Sequence, residues 1–125
     1  MNINSYKDLK VWQLSIDIAE QVYYLTQSFP KQEIYGLTSQ LQRAAVSIPS
    51  NLAEGHTRDS TKEFLHFISI ALGSLAELGT QLILAQRFKY LNTNDLTTIS
   101  VKTEAAGKML RGLQRTLKAK LKMSS

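Results

Sequence analysis

The side chains best placed to do chemistry stand at helical spacing between residues 37 and 55. Polar residues recur there every three or four positions, at Gln40, Arg43, Ser47, Asn51 and Glu54. On an α-helix such residues lie above one another on a single face. Leucine, isoleucine and alanine flank them, so this polar face runs beside a buried one, where a charge is costly without a partner.

Two kinds of chemistry fit this polar face. A carboxylate whose pKa is raised by its surroundings could serve as an acid or a base. A satisfied network of polar groups would instead hold helices in register. We favour the second interpretation, because no nucleophile, metal cluster or glycine-rich phosphate loop accompanies the carboxylates. The predicted structural polar network comprises Gln40, Arg43, Ser47, Asn51, Glu54 and Glu77.

Metal binding is another possible role for carboxylate and imidazole side chains in this chain. Glu63 and His66 form a Glu-x-x-His pair, but no other Glu has a His three residues on, and a di-iron site in a helical bundle needs two such pairs. Glu63 also follows Ser60 at the spacing of a helix-capping box. His56 stands beside Arg58 just past a predicted helix end, as a loop or surface histidine would. We predict no metal, no cofactor and no enzymatic activity.

Cations along the predicted last helix form a second pattern. Lys108, Arg111, Arg115, Lys118 and Lys122 step by three or four residues, and we call these five residues the basic row. Residues 101–125 hold seven Lys or Arg against one Asp or Glu, whereas residues 1–100 hold eight against nine. The row predicts a ridge that binds the phosphates of RNA or DNA. The alternative is a solvated face whose cations complement the helix C-terminus. No aromatic residue interleaves with the row, which argues against base stacking on it.

Composition sets the class of molecule that must position these groups. The chain has 125 residues, of which 43% are hydrophobic and 20% charged, as expected for one globular domain spanning residues 1–125. There is no cysteine, and the N-terminus lacks the layout of a signal peptide, so we expect a cytoplasmic protein. The longest apolar stretch contains His66, Glu77 and Gln81, and we expect no membrane span.

Apolar periodicity predicts an all-α fold with four helices. They run from about Tyr6 to Gln27, Glu33 to Gly55, Ser60 to Phe88 and Asp95 to Lys122. Pro49 should kink the second helix, or else break it so that Ser47 caps a new one. Gly55 is expected to end that helix in a left-handed conformation. Short connections favour an antiparallel up-down-up-down bundle.

The first and third predicted helices carry more apolar surface than one bundle needs. Their apolar residues extend beyond the roughly 100° stripe of an ordinary surface helix. The fourth helix, in contrast, has a single regular stripe of leucine, isoleucine, alanine and threonine. The surplus on the first and third helices predicts contacts between subunits of a homo-oligomer.

Several short motifs carry a resemblance to a known family. They are, in order, Leu9–Trp12, Phe29-Pro30 with Glu33, Tyr35–Leu37, Gln40–Ala45, Ser47–Asn51, Ala53–Gly55 and Ala71–Leu75. With these motifs, across roughly residues 6–91, the chain resembles the four-helix bundle proteins encoded in intervening sequences of large-subunit ribosomal RNA. That family includes the accessory variability determinant of diversity-generating retroelements. The Ser-Ile-Pro-Ser-Asn-x-Ala-Glu-Gly string is its most specific part.

The resemblance implies a barrel-like ring, a homopentamer, without enzymatic activity. For the accessory determinant it also implies binding of a reverse transcriptase and of nucleic acid through a basic surface. This chain is less basic, with a net charge of +5 concentrated at its end. The sequence therefore supports a hypothesis of weak nucleic-acid binding without sequence preference. The alternative is a protein-binding scaffold or accessory subunit, for example of a reverse transcriptase.

Overall fold

The computed structural model describes residues 5–123, and within that range it contains four α-helices and no strand. The helices are α1 (Lys10–Thr26), α2 (Leu37–His56), α3 (Thr61–Arg87) and α4 (Thr93–Met123), with single 3-10 turns at Tyr6–Asp8 and Lys31–Glu33. The all-α prediction is confirmed. The first helix begins later than predicted, because Leu9 is extended and separates the 3-10 turn from α1.

Each helix packs against its neighbour along the chain, and α1 closes the arrangement against α4. The most extensive of these interfaces joins α2 to α3. The largest fully buried side chains come from all four helices, and they are Ile18, Leu41, Ile48, Leu52, Ile68, Leu78, Ile99 and Leu110. Beyond Leu110, no described side chain of α4 is fully buried. In the last three turns of α4 the leucines Leu113, Leu117 and Leu121 are half-buried.

Capping explains where α3 and α4 begin. The Ser60 hydroxyl accepts a hydrogen bond from the Glu63 amide at 3.1 Å, as the capping-box spacing predicts. The Asn92 side-chain oxygen accepts from the Asp95 amide at 2.7 Å at the start of α4. Each bond satisfies an amide that has no carbonyl partner inside its helix.

Pro49 lies inside α2, and the helix runs through it without a break. The Asn51 side-chain amide donates to the Ser47 carbonyl at 2.7 Å and to the Ser47 hydroxyl at 2.9 Å. These bonds brace the turn that contains the proline. Pro49 itself is buried, and packing of this kind commonly overrides a local helix-breaking preference.

Gly55 does not end α2 in a left-handed conformation, and that prediction was wrong. No glycine among the described residues has a positive φ, and α2 continues to His56. The glycine is instead required by close packing against α3. A Cβ atom at this position would lie 2.6 Å from the Cβ of Phe67 and 3.0 Å from Cδ1 of Phe64. Glycine here lets the two helices approach each other.

The connection between α3 and α4 is tied to the connection between α1 and α2. The Tyr90 hydroxyl donates to the Glu33 carboxylate at 3.0 Å, and its ring contacts those of Phe29 and Phe88. The hydrogen bond to Glu33 and desolvation raise the pKa of the Tyr90 phenol above its usual value. The resulting stabilisation is present below pH 10 and is lost as the pH rises further, because only the neutral phenol donates.

Lys89 follows α3 with a φ of 65°, the left-handed region that side chains disfavour. Lys89→Gly should stabilise the fold by about 0.5–1 kcal/mol, because glycine adopts this φ without strain. Urea denaturation measures the change. Lys62→Gly, inside α3 where φ is negative, should instead destabilise by about 0.5–1 kcal/mol. A loss of stability in Lys89→Gly would contradict the prediction.

One described helix, α3, is long and apolar enough to cross a membrane by length and composition. Its most apolar 18-residue window has a mean hydropathy of 1.6, and 33% of that window is buried in the single chain. The core helix of a water-soluble bundle passes the same test. The buried residues of α3, among them Ile68, Ala71 and Leu78, belong to the shared core.

Candidate functional site

The centre of the predicted polar network lies where α2 meets α3. The hydroxyls of Ser47 and Ser74 are 2.7 Å apart and hydrogen-bonded, and Asn51 donates to the same Ser47 oxygen. The sequence pattern placed Ser47 and Asn51 on one face but gave no sign of the partner on α3. Ser74 supplies that partner because small side chains let the two helices come close.

The other members of the predicted network lie apart from this centre. Gln40, Arg43 and Glu77 are exposed, and the structure shows no ion pair between Arg43 and either carboxylate among the described residues. Glu54 pairs with Arg58 at 2.8 Å. In a single chain, therefore, Ser47 and Asn51 act together, while Arg43 and Glu77 remain available to groups outside it.

The outer side of α2 is poor in charge and carries exposed apolar groups. Within residues 37–56 there is one Arg and one Glu. Val46 is 42% exposed, and on the adjoining α1 Ile16 is 41% and Tyr23 46% exposed. A groove of about 410 Å³ joins the two helices and is lined by Tyr23, Ser39, Gln42, Arg43, Val46 and Ser47. We call this surface, together with Ile16, the α2 face.

The basic row forms a highly charged surface, in contrast to the α2 face. All five of its residues are exposed on α4, as their spacing predicts. Lys108, Arg111, Arg115 and Lys118 have no carboxylate of the described residues within 4 Å. Cations that are not neutralised by the protein retain their full attraction for phosphate.

A groove of about 380 Å³ runs beside the first part of the row, between α3 and α4. Leu72 and Leu75 form its floor, and Lys108 and Arg111 stand at its edge. Gly107 also lines the groove, and a Cβ there would make an ordinary van der Waals contact with Leu75 at 3.5 Å. Glu104 is the one carboxylate in the lining.

A larger cleft, which we call the end cleft, has a volume of about 530 Å³. Its lining residues are Leu9, His56, Arg58, Asp59, Ser60, Thr61, Phe64, Leu113, Thr116, Leu117 and Lys120. The imidazole of His56 meets the ring of Phe64 edge to face, with centroids 5.6 Å apart. The sequence suggested a loop or surface position for His56 beside Arg58, and it did not indicate this cleft. The only signal was that His56 and Arg58 adjoin the Ser60 cap, so they must lie at one end of the bundle.

Arg58 holds the loop beside the end cleft. Its guanidinium pairs with Glu54 at 2.8 Å, lies 3.7 Å from Glu63 and stands 5.1 Å from the centre of the Phe67 ring. Among the described residues no three His, Cys, Asp or Glu side chains are grouped so that they could hold a metal ion. Glu63 is thus engaged at the start of α3, apart from any ligand set.

Comparison with known proteins places this geometry in a family. The profile of the 23S rRNA-intervening sequence proteins matches residues 7–112, and no curated protein matches. A protein of unknown function from the S23 ribosomal protein family of Bacteroides thetaiotaomicron VPI-5482 has a similar crystal structure, with a TM-score of 0.75. It is 22% identical over 83% of this chain and 97% of its own, a likeness that shows the shared fold alone. The profile match confirms the resemblance seen in the sequence: the chain belongs to the 23S rRNA-intervening sequence protein family.

Proposed function

We propose that this protein is a non-enzymatic homo-oligomer, a ring of five subunits, that binds nucleic acid without sequence preference. The observation that carries the proposal is the separation of two surfaces. The α2 face is poor in charge and exposes apolar groups, whereas α4 carries seven Lys or Arg against two Asp or Glu. The α2 face would join subunits, and the basic row would meet phosphate.

Within each subunit we propose an antiparallel up-down-up-down order. The end cleft groups Leu9 before α1, His56 at the end of α2, Phe64 in the first turn of α3 and Leu117 near the end of α4. A second groove groups Tyr24 near the end of α1 with Asn92 before α4. These groupings bring the start of one helix beside the end of the next, which supports an antiparallel order.

The α2 face has the composition of a subunit interface. The cores of such interfaces are depleted in charge and enriched in aromatic and aliphatic groups, as at Tyr23, Val46 and Ile16. Its one cation, Arg43, needs a carboxylate once it is desolvated. Glu77 of a neighbouring subunit would supply one, since it is exposed one turn after Ser74.

The basic row suits the sugar-phosphate backbone of RNA or DNA. Its cations are exposed and follow one side of α4 for four turns. Contacts to phosphate carry no sequence information, so the binding would not discriminate among sequences. A ring would repeat the row around its circumference, and repeated weak contacts on one long strand raise the overall affinity.

A protein-binding scaffold is the second candidate. The groove between α3 and α4 favours it, because an apolar floor of Leu72 and Leu75 beside Lys108 and Arg111 fits an acidic amphipathic helix. An accessory subunit of a polymerase such as a reverse transcriptase is one form of this function. In both forms we place the protein in the cytoplasm, with α3 in the core of the assembly and outside any membrane.

Light scattering tests the assembly. Wild-type protein at micromolar concentration should have the mass of about five subunits, and Val46→Glu should shift it towards monomer, because a carboxylate would be buried without a partner. Val101→Glu is the matched control: Val101 is 64% exposed on α4 and should tolerate the charge. A monomeric wild type, or equal effects of the two variants, would rule out the α2 face as an interface.

Salt titration tests the binding. If five phosphates are contacted on a single strand, the logarithm of the affinity should fall with the logarithm of salt with a slope of about −3.5. Purified protein that binds no oligonucleotide but retains a protein partner would favour the scaffold.

A further inference from the structure

We infer that the outer side of α3 is the surface on which a second copy of this chain seats its α2 face. This inference rests on the proposed function and identifies the other half of each contact between subunits. Exposed residues three or four positions apart form this outer side, which we call the α3 face: Ile70, Gly73, Glu77, Thr80, Leu84 and Phe88. From Ile70 to Leu84 it extends for about 21 Å, at about 1.5 Å per residue.

The third helix carries more apolar surface than its own bundle buries. Its inner side contributes Ile68 and Leu75 to the core. Even so, only 33% of its most apolar 18-residue window is buried in the single chain. Residues 64–86 contain one Asp, Glu, Lys or Arg, which is Glu77. A helix that is apolar on nearly all sides belongs in an interior or between subunits, so the α3 face needs a partner outside the single chain.

Gly73 is not required by packing within the single chain. A Cβ at Gly73 would have no described atom within 4 Å, in contrast to the crowded position of Gly55. Glycine inside a helix lowers its stability relative to alanine. The missing side chain does, however, let another helix approach the backbone of α3 closely. Gly73 therefore suits a contact with a second subunit.

The charges of the α2 face and the α3 face are complementary. The α2 face has one cation, Arg43, and no carboxylate, whereas the α3 face has one carboxylate, Glu77, and no cation. Neither residue forms an ion pair among the described residues. Seating one face on the other pairs two charges that would each be costly to bury alone. Two α2 faces together would bury two cations without a carboxylate, and two α3 faces would bury two carboxylates without a cation.

Other polar groups on the two faces already have partners within the chain. The Thr80 hydroxyl donates to the Ala76 carbonyl at 2.9 Å on α3. The Gln42 side-chain amide donates to the Thr26 hydroxyl at 3.1 Å, between α2 and α1. These bonds persist when the faces meet, so burial of Thr80 and Gln42 adds little cost.

A contact between two different faces of one chain is heterologous. Every subunit would use its α2 face on one neighbour and its α3 face on the other. Such contacts close into a ring when the rotation between successive subunits divides a full turn, whereas a contact between like faces stops at two subunits. The pairing of the α2 face with the α3 face is therefore the kind of contact that a ring of five requires.

Light scattering on a variant of α3 tests the α3 face. Gly73→Glu would place a carboxylate in the contact, and the open space at Gly73 allows the single chain to keep its fold. This variant should fall from the oligomer to the monomer at micromolar concentration. Gly79→Glu is the matched control, because a Cβ there also has no described atom within 4 Å. Gly79 lies about 120° around α3 from Gly73, so this variant should keep the wild-type mass.

A mixture of two variants identifies which faces meet. Gly73→Glu leaves the α2 face intact, and Val46→Glu leaves the α3 face intact. An equimolar mixture should therefore form a complex of two subunits, although each variant alone is monomeric. A dimer of either variant alone would mean that like faces meet and would overturn the inference. A mixture that stays monomeric would overturn it as well.

Charge reversal provides a second measurement if circular dichroism shows that Gly73→Glu loses helicity. Arg43→Glu and Glu77→Arg should each raise the subunit dissociation constant at least about thirtyfold, because each leaves two like charges in a buried contact. The double variant should recover most of the affinity, since its charges are again opposite. A double variant as weak as the single variants would contradict the pairing of Arg43 with Glu77.

The outcomes separate this inference from the proposed function. An oligomeric wild type together with an unchanged mass of Gly73→Glu would overturn the role of the α3 face and leave the ring standing. A monomeric wild type would overturn the ring and the pairing of faces together. A monomer that floats with phosphatidylcholine vesicles would place lipid on the α3 face and would also overturn the inference.

Discussion

Reversing three charges of the basic row, with Arg111, Arg115 and Lys118 all changed to Glu, is expected to weaken nucleic-acid binding about a hundredfold. For each phosphate that the protein neutralises on a single strand, the logarithm of the affinity rises by about 0.7 for every tenfold decrease in salt below 1 M. At 0.1 M salt, a variant that neutralises three fewer phosphates therefore binds about two decades more weakly. The slope of affinity against salt should fall by about 2 at the same time.

A second triple reversal distinguishes the row from net charge. Lys10, Lys31 and Lys89 are exposed outside α4, and changing all three to Glu alters the total charge by the same amount. That variant should lose far less affinity, because long-range attraction is screened over about 10 Å at this ionic strength. Equal losses in the two variants, or binding that ignores salt, would refute the phosphate ridge.

Gly55→Ala should destabilise the fold by up to about 2 kcal/mol, although alanine is the better helix former. The new methyl group would lie 2.6 Å from the Cβ of Phe67, an atom that moves only if α3 moves. Overpacking of this kind costs about 1–3 kcal/mol, from which about 1 kcal/mol of helix propensity is recovered. Urea denaturation at constant protein concentration measures the difference.

Gly79→Ala on α3 separates packing from propensity. A Cβ at Gly79 would have no atom within 4 Å, so this change should stabilise by about 0.5–1 kcal/mol. The two variants should thus shift the unfolding midpoint in opposite directions. A stabilised Gly55→Ala would mean that α2 and α3 are not held as closely as the geometry indicates.

Much of the fold was predictable because its determinants are local. The Ser60 cap and the apolar period of α4 depend on residues a few positions apart, and both appear as expected. Gly55 shows the limit of such reasoning. Its neighbours in sequence suggested a helix stop, whereas its neighbours in space, Phe64 and Phe67, require a residue without a side chain.

A candidate site was easier to predict from the sequence when all of its residues lie on one helix. The basic row is a pattern within α4, and its exposure follows from spacing alone. The end cleft draws on α2, α3 and α4 together, so no single period could indicate it.

The shallow burial of the α4 side chains between Leu110 and Met123 has a consequence for motion. Amide protons in its final turns should exchange with solvent faster than those near Ile99, because opening there breaks few apolar contacts. Four of the five cations of the row lie in that segment. A polyanion that binds the closed helix would make opening of these turns less favourable. Deuterium uptake in the final turns of α4 should therefore fall as more of the protein is bound.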